Sequence, residues 1–325
     1  MNEIERLSQA SSNQDHRPGI GSFTESWLRF IRLYTYYTPI RKGKYRLYQA
    51  ALKLVKERPR ELPTTVRDGR RFVVDLTTGM QETLFFIGEY ERFITRVAEK
   101  LIGQGETCVD AGANFGWYTT LMSERVGPKG SVLAFEPMPR TFNELSRNRD
   151  LLRFKENVTI NNLALGDHEG TVQINLFEGE PSGHASLSPK SQIGISSFAC
   201  PMTTLDQYLS ENGVGNVDFL KADIEGAEMM LLKGADRLFE QKVPPIILME
   251  MALEQSRHFG YTPDELVKYI SSRGAYDFYK VDEPNECLIK IEGFDRCDIG
   301  ANVFCIPINS APEKTAALKE FISDR

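Results

Sequence analysis

From residue 108 onward the chain alternates short apolar runs with longer amphipathic stretches, an order that few folds accommodate. The runs are 108–111, 132–135, 158–160, 217–221, 246–249, 276–281 and 302–308. The amphipathic stretches are 117–126, 140–152, 227–239 and 263–273, and a further helix is predicted over 91–102. Buried strands alternating with helices specify a mostly parallel sheet with helices on both faces. The stretch 263–273 opens on Thr262-Pro263-Asp264-Glu265 and is followed by Gly274. That combines a capping box, a proline at the first helical position and a terminating glycine. No long helix separates the runs ending at Val281 and starting at Asn302, so the last strand is expected to return antiparallel. In such open sheets the ligand sits at the carboxyl ends of the strands.

Upstream, the segments 64–66 and 71–76 flank Asp68-Gly69, a dipeptide suited to a tight hairpin turn. Residues 27–60 differ again: ten basic side chains and one acid, Glu57, give +9 there, which leaves −15 for the rest of a chain of net charge −6. Seven aromatic residues are interleaved with them: Trp27, Phe30, Tyr34, Tyr36, Tyr37, Tyr45 and Tyr48. Such a segment suits an anionic membrane surface or an anionic partner. Alternatively it is a solvated helix whose aromatic stripe packs on the main domain. The expected division is a polar tail and basic helical extension over 1–62, then a catalytic domain over 63–325 with its core at about 90–310.

Composition excludes several classes. With 41% hydrophobic and 26% charged residues the chain can bury a core and is not of the disordered type. Its net negative charge makes it no general attractor for nucleic acid. No apolar run reaches the roughly 18 residues of a membrane span, and the polar first residues lack an apolar signal core. Cysteines at 108, 200, 287, 297 and 305 show no C-x-x-C spacing, which points away from a disulfide framework or a thiolate zinc site. The expectation is a reduced, soluble, cytoplasmic protein.

The segment 107–116, Thr-Cys-Val-Asp-Ala-Gly-Ala-Asn-Phe-Gly, runs directly into the helix at Trp117. A buried strand thus delivers Asp110 at its end, and Gly112 and Gly116 permit a tight turn. The pattern D-x-G-x-x-x-G differs from the G-x-G-x-x-G of a pyrophosphate site. An acid before the glycine turn suits a ligand with a cationic amino group, such as S-adenosylmethionine. The second strand ends at Glu136, 24 positions past Gly112, near the spacing at which an acid accepts hydrogen bonds from ribose hydroxyls. The segment 161–167, with Asn162 and Leu163, falls where an adenine would lie, although its apolar residues serve a core equally well.

The fourth strand ends in Lys221-Ala222-Asp223-Ile224-Glu225-Gly226-Ala227-Glu228, and the fifth reaches Glu250. Alternation places Lys221, Asp223 and Glu225 on one side if the strand continues that far. Helix N-capping by Asp223 or Glu225 would account for one acid but not for three or four.

Together these segments, with Thr204-Leu205-Asp206-Gln207-Tyr208-Leu209 and Asn162-Leu163-Ala164-Leu165-Gly166-Asp167, resemble the FkbM-type methyltransferases over roughly residues 65–260. The resemblance implies S-adenosylmethionine-dependent chemistry on the seven-stranded, Rossmann-like class I fold. It also implies that Asp110, Gly112, Asn114 and Gly116 hold the methionine part, that Glu136 holds the ribose, and that Glu91 faces the cofactor. Asn162, Leu163 and Asp223 complete the expected cofactor set. The implied acceptor is a hydroxyl on a sugar, glycan or natural-product-like small molecule.

Methyl transfer to a poorly acidic alcohol needs in-line alignment and a base within hydrogen-bond reach. Asp223 is the first candidate, followed by Glu225 and Glu250. His184 lies in a Gly-, Ser- and Pro-rich stretch, 178–200, whose composition suits a loop over the site; the alternative is an exposed loop histidine. His168 and His258 are weaker candidates; no metal site is assigned, since no histidine has ligand spacing near the acids, and the alternative is that the acids, as an oxygen cluster, hold a divalent metal such as magnesium or calcium. Two other readings compete: a non-catalytic module that keeps the fold for binding, and a nicotinamide-dependent oxidoreductase, against which the missing G-x-G-x-x-G argues.

Overall fold

The structure, a computed structural model, describes residues 22–38, 43–176, 196–294 and 300–323. The chain divides into two compact units, one of residues 1–62 with 74–88 and one of 63–73 with 89–325.

The first unit holds helices α1 (Ser22–Tyr37), α2 (Lys44–Lys53) and α3 (Gly79–Ile87). Leu28, Ile31, Tyr48, Leu52, Leu84, Phe85 and Phe86 form its interior, with the Tyr48 and Phe86 rings stacked at 4.8 Å between centroids. The Thr35 hydroxyl donates to the Phe86 carbonyl (2.6 Å) and Arg32 Nε to the Phe85 carbonyl (2.8 Å), which ties α1 to α3. Arg58 pairs with the buried Glu82, which also accepts from Gln49 Nε2 at 2.8 Å.

The second unit opens with the hairpin β1 (Leu62–Thr65) and β2 (Arg71–Val74), each strand having one end residue in the first unit. Its turn has Gly69 at φ +90°, as the Asp68-Gly69 pair predicts. Then follow α4 (Arg92–Leu101), β3 (Thr107–Ala111), α5 (Trp117–Val126), β4 (Ser131–Phe135), α6 (Pro139–Asp150) and β5 (Val158–Asn161). Next come β6 (Ala164–Leu165), β7 (Gly170–Leu176), β8 (Ser196–Thr203), α7 (Leu205–Glu211), β9 (Phe219–Ala222), α8 (Glu228–Lys233) and α9 (Asp236–Glu240). The chain closes with β10 (Ile246–Ala252), α10 (Leu253–His258), α11 (Pro263–Arg273), β11 (Tyr276–Asp282), β12 (Cys287–Ile291), β13 (Gly300–Pro307) and α12 (Pro312–Lys319).

The main sheet has the order β5-β4-β3-β9-β10-β13-β11-β12. Strands β3, β4, β5, β9 and β10 are parallel, and β13 inserts antiparallel between β10 and β11, the return that the missing helix implied. This is the class I methyltransferase architecture, with the expected seven strands extended by an eighth, β12, on the edge of β11. The order reverses between β3 and β9, so the crevice at their carboxyl ends is the switch point where ligands bind. Val109, Ala111, Leu220, Ala222, Ile247 and Met249 face one core layer with Leu205, Leu231 and Leu266 of the covering helices.

Two sequence expectations change. The predicted helix over 227–239 is two short helices, α8 and α9, separated at Gly234. A Cβ there would strike the Gly166 carbonyl oxygen, and Gly234 O accepts from Asp206 N–H (3.0 Å). Tertiary approach therefore ends a helix that periodicity alone would continue. The second change is a separate sheet, β6-β8-β7, which the alternation did not announce.

Candidate active site at the strand ends

The turn after β3 is set by two positive-φ glycines, Gly112 (+75°) and Gly116 (+98°), with Asn114 left-handed at +51°. Both glycines face protein where a side chain would project. A Cβ on Gly112 would fall on the Asp223 carbonyl oxygen, and one on Gly116 would lie 2.8 Å from Leu145 Cδ1. They let the β3 turn meet the β9 turn on one side and α6 on the other. The turn is also tied to β4, because Gly112 N–H and Ala113 N–H both donate to Phe135 O at 3.0 Å.

Asp110 is fully buried at the end of β3. Its Oδ2 accepts from the Thr119 hydroxyl at 2.6 Å, one turn into α5, whereas Oδ1 has no hydrogen-bond partner and lies 3.8 Å from Lys221 Nζ. Burial pushes the Asp110 carboxyl up, with Lys221 and Thr119 opposing. Lys221, the register partner of Asp110 on β9, is the centre of the site. Its ammonium donates to Gly112 O (3.0 Å), lies 3.4 Å from Asp223 Oδ2 and 5.4 Å from the Tyr118 ring centre. Burial alone would depress Lys221, but Asp223, Asp110 and Glu91 outweigh it and hold the ammonium above its ordinary value.

Glu91 comes to the same place from the start of α4, in left-handed backbone (φ +43°). It accepts from the Tyr118 hydroxyl at 2.7 Å. Burial, then Asp223, raises its carboxyl, while Tyr118 and Lys221 oppose. Glu250, on β10 opposite Asn302 of β13, is pushed up to about 8 by burial and then by Asp223, Glu225 and Glu228. Asp223, Glu225 and Glu250 thus share one electrostatic neighbourhood, as the sequence implied, although by another route. Strand β9 stops at Ala222, so alternation does not reach Glu225, which sits in left-handed backbone at φ +56°. Neither Asp223 nor Glu225 caps α8, whose N-cap is Ala227.

Glu228 instead holds that turn together. Its Oε1 accepts from Ile224 N–H (3.0 Å) and Gly226 N–H (3.3 Å), and its Oε2 from the Tyr261 hydroxyl (3.0 Å). Burial raises this carboxyl to about 7.

Glu136 follows β4. Its Oε1 accepts from Met138 N–H (3.0 Å) and its Oε2 from Asn114 N–H (2.7 Å), which links the second strand's end to the glycine turn. Burial raises it to about 7, against the two backbone donors. Asn162 Nδ2 donates to the carbonyls of Glu136 (2.9 Å) and Pro137 (3.0 Å), so Asn162 shapes this edge through the backbone. Leu163 packs on the main core.

Trp117 belongs to the interior: its indole donates to Thr95 Oγ1 (3.0 Å) and the Arg70 guanidinium stacks on it at 4.0 Å. His168 is exposed and paired with Asp167 (2.7 Å), and His258 is exposed at the end of α10. His184 lies outside the described residues, as does most of the stretch 178–200. Among the described residues no group of three or more His, Cys, Asp or Glu side chains is arranged to hold a metal ion, and no helix is long and apolar enough to cross a membrane. Sequence reasoning offered Trp117 or Tyr118 as packing on the ligand, and assigned no role to Lys221 or Glu228. The trace of Lys221 in the sequence is a lysine closing an apolar run, which reads equally well as the edge of a strand.

The family model of the methyltransferase FkbM domain matches residues 110–276. Methyltransferase sdnD of Sordaria araneosa is 30% identical over 39% of this chain and 60% of its own length. The hexuronic acid methyltransferase AglP of Haloferax volcanii is 24% identical over 56% of this chain and 68% of its own. The crystal structure of methyltransferase FkbM from Methylobacillus flagellatus is 19% identical, with a TM-score of 0.40, and covers 62% of this chain and 43% of that one. The chain spans about three fifths of the length of the first curated relatives it matches. With the family model covering half of its residues, the chain belongs to the FkbM methyltransferase family.

Proposed function

We propose that the chain is an S-adenosylmethionine-dependent O-methyltransferase that acts on a hydroxyl of a sugar, glycan or natural-product-like small molecule. The observation that carries this reading is Glu136. Its carboxylate is buried at the end of the second strand, yet backbone donors fill only two of its roughly four acceptor positions. A pair of ribose hydroxyls supplies the donors that such a group lacks. Asp110 Oδ1, which has no hydrogen-bond partner and lies 3.8 Å from Lys221 Nζ, gives a second fit, to a cationic amino group beside the glycine turn. Family membership sets aside the nicotinamide-dependent reading. The sugar acceptor is supported by the hexuronic acid methyltransferase among the relatives.

The bound donor would supply a methyl group already activated on a sulfonium. The chain's own residues orient the acceptor and accept its proton. Glu250 is the best-matched base among the acids, since a carboxylate pushed up to about 8 is a stronger base than an ordinary one. Asp223, 3.4 Å from the Lys221 ammonium, is an ion-paired carboxylate suited to orienting the acceptor hydroxyl. Lys221 and Tyr118 fix the positions of Asp223 and Glu91. Incubation with labelled donor and a panel of uronic acids, neutral sugars and polyols tests the reading. Label should pass to a hydroxyl of at least one acceptor, and donor binding without transfer to any hydroxyl would favour a non-catalytic module.

A further inference from the structure

Helix α1 carries two apolar stripes where an ordinary surface helix carries one. Leu28, Ile31 and Thr35 are buried within the first unit. Phe30, Leu33, Tyr34 and Tyr37, at spacing i, i+3, i+4 and i+7, form a second stripe that faces solvent, with Phe30 64% and Tyr37 73% exposed. On α2 and its C-cap, exposed Leu47 and Leu54 fall seven residues apart on one face, next to exposed Arg46 and Lys53. Among the described residues, seven of the ten exposed large hydrophobic side chains lie between residues 30 and 54. Scattered surface hydrophobics need no explanation, but a concentration in one segment at helical spacing marks a contact surface.

We infer that this face of the first unit docks on an anionic lipid surface, an inference that stands apart from the methyl-transfer reading. Charge selects the occupant. Lys44, Arg32 and Arg58 are engaged inside the unit, but Arg46, Lys53, Lys56 and Arg60 are exposed beside the apolar stripe. A two-fold contact with a second copy would set this basic patch against itself. A bilayer with anionic headgroups takes both components: basic side chains at the headgroups, and amphipathic tyrosine rings at the boundary below them. The segregation of +9 into residues 27–60, against −15 elsewhere, favours approach by this segment over the rest of the chain.

The full chain tests this by co-sedimentation with vesicles of phosphatidylcholine alone and of phosphatidylcholine with phosphatidylserine. The wild type should partition onto the anionic vesicles only, and less at high salt. Leu33→Asp with Tyr37→Asp, and separately Arg46→Glu with Lys53→Glu, should each weaken partition by about tenfold or more. Ile308→Asp, an exposed apolar position outside the segment, should leave it unchanged. Thermal melts confirm that the variants fold. Equal partition of the wild type on both vesicle types overturns the inference, as does wild-type binding by the Leu33→Asp, Tyr37→Asp variant. A wild-type dimer that this variant dissociates, without vesicle binding, also overturns it and assigns the face to a second copy.

Discussion

Two strand ends of the main sheet each carry a buried glutamate raised by burial to about 7, and the two do different work. Glu228, beyond β9, accepts from two backbone N–H groups and a tyrosine hydroxyl, all from its own chain. It clamps the turn that presents Asp223 and Glu225. Glu136, beyond β4, accepts from one backbone N–H on each oxygen and keeps acceptor capacity for something else. A raised carboxyl therefore does not by itself mark a ligand site. On the proposed reading, what separates the structural acid from the binding acid is how far the chain has already met its hydrogen-bonding capacity.

The widest break should come at neither glutamate but at Glu250, which we assign as the base. Glu250→Gln should lower the methyl-transfer rate by about 10²–10⁴-fold and leave donor affinity within a few-fold. In the wild type the rate should climb with pH and level off above about 8, because the carboxylate must be ionised to accept a proton. A flat profile from pH 6 to 9, or an active Glu250→Gln enzyme, would move the base to Asp223. Next in size is the joint between the two turns. Gly112→Ala adds a Cβ onto the Asp223 carbonyl at a positive φ, and should cost more than about 3 kcal/mol in denaturant melts. A variant as stable as wild type would mean that the β3 and β9 turns are not held together there.

The smallest effect addresses the comparison itself. Both glutamates bind a proton more tightly in the folded state than near 4.3 when unfolded. Their stabilising contribution is complete below about 4.5 and is lost as pH rises through about 7, on the order of a few kcal/mol. Glu228→Gln keeps an acceptor for Ile224 and Gly226 and gives Tyr261 a donor. It should therefore flatten part of the fall in melting temperature between pH 5 and 8. Saturating S-adenosylmethionine should flatten the other part, because its hydroxyls favour ionised Glu136. An unchanged slope in both experiments would remove the distinction between the two acids.

Much of this arrangement was legible in the sequence, for local reasons. The strand, glycine turn and helix over 107–126 and the capped helix at 263–273 are dictated by neighbours in the chain, and the structure has α5 and α11 at the expected limits. The Glu228 clamp, the break at Gly234 and the buried Lys221 were not legible, because each depends on a partner 33 or more positions away: Tyr261, Gly166 or Gly112. Lys221 shows the difficulty most clearly. A lysine at the end of an apolar run reads as the edge of a strand, and only the fold brings it between Asp110 and Asp223.

Calorimetric titration of S-adenosylmethionine into the wild type and Glu136→Ala tests the central claim most directly. The wild type should bind, and loss of the charge-assisted pair should weaken affinity by roughly 2–3 kcal/mol, about 30- to 150-fold. Equal affinity of the two proteins, or no binding to a folded wild type, would contradict the assignment of the β4 end as the cofactor site.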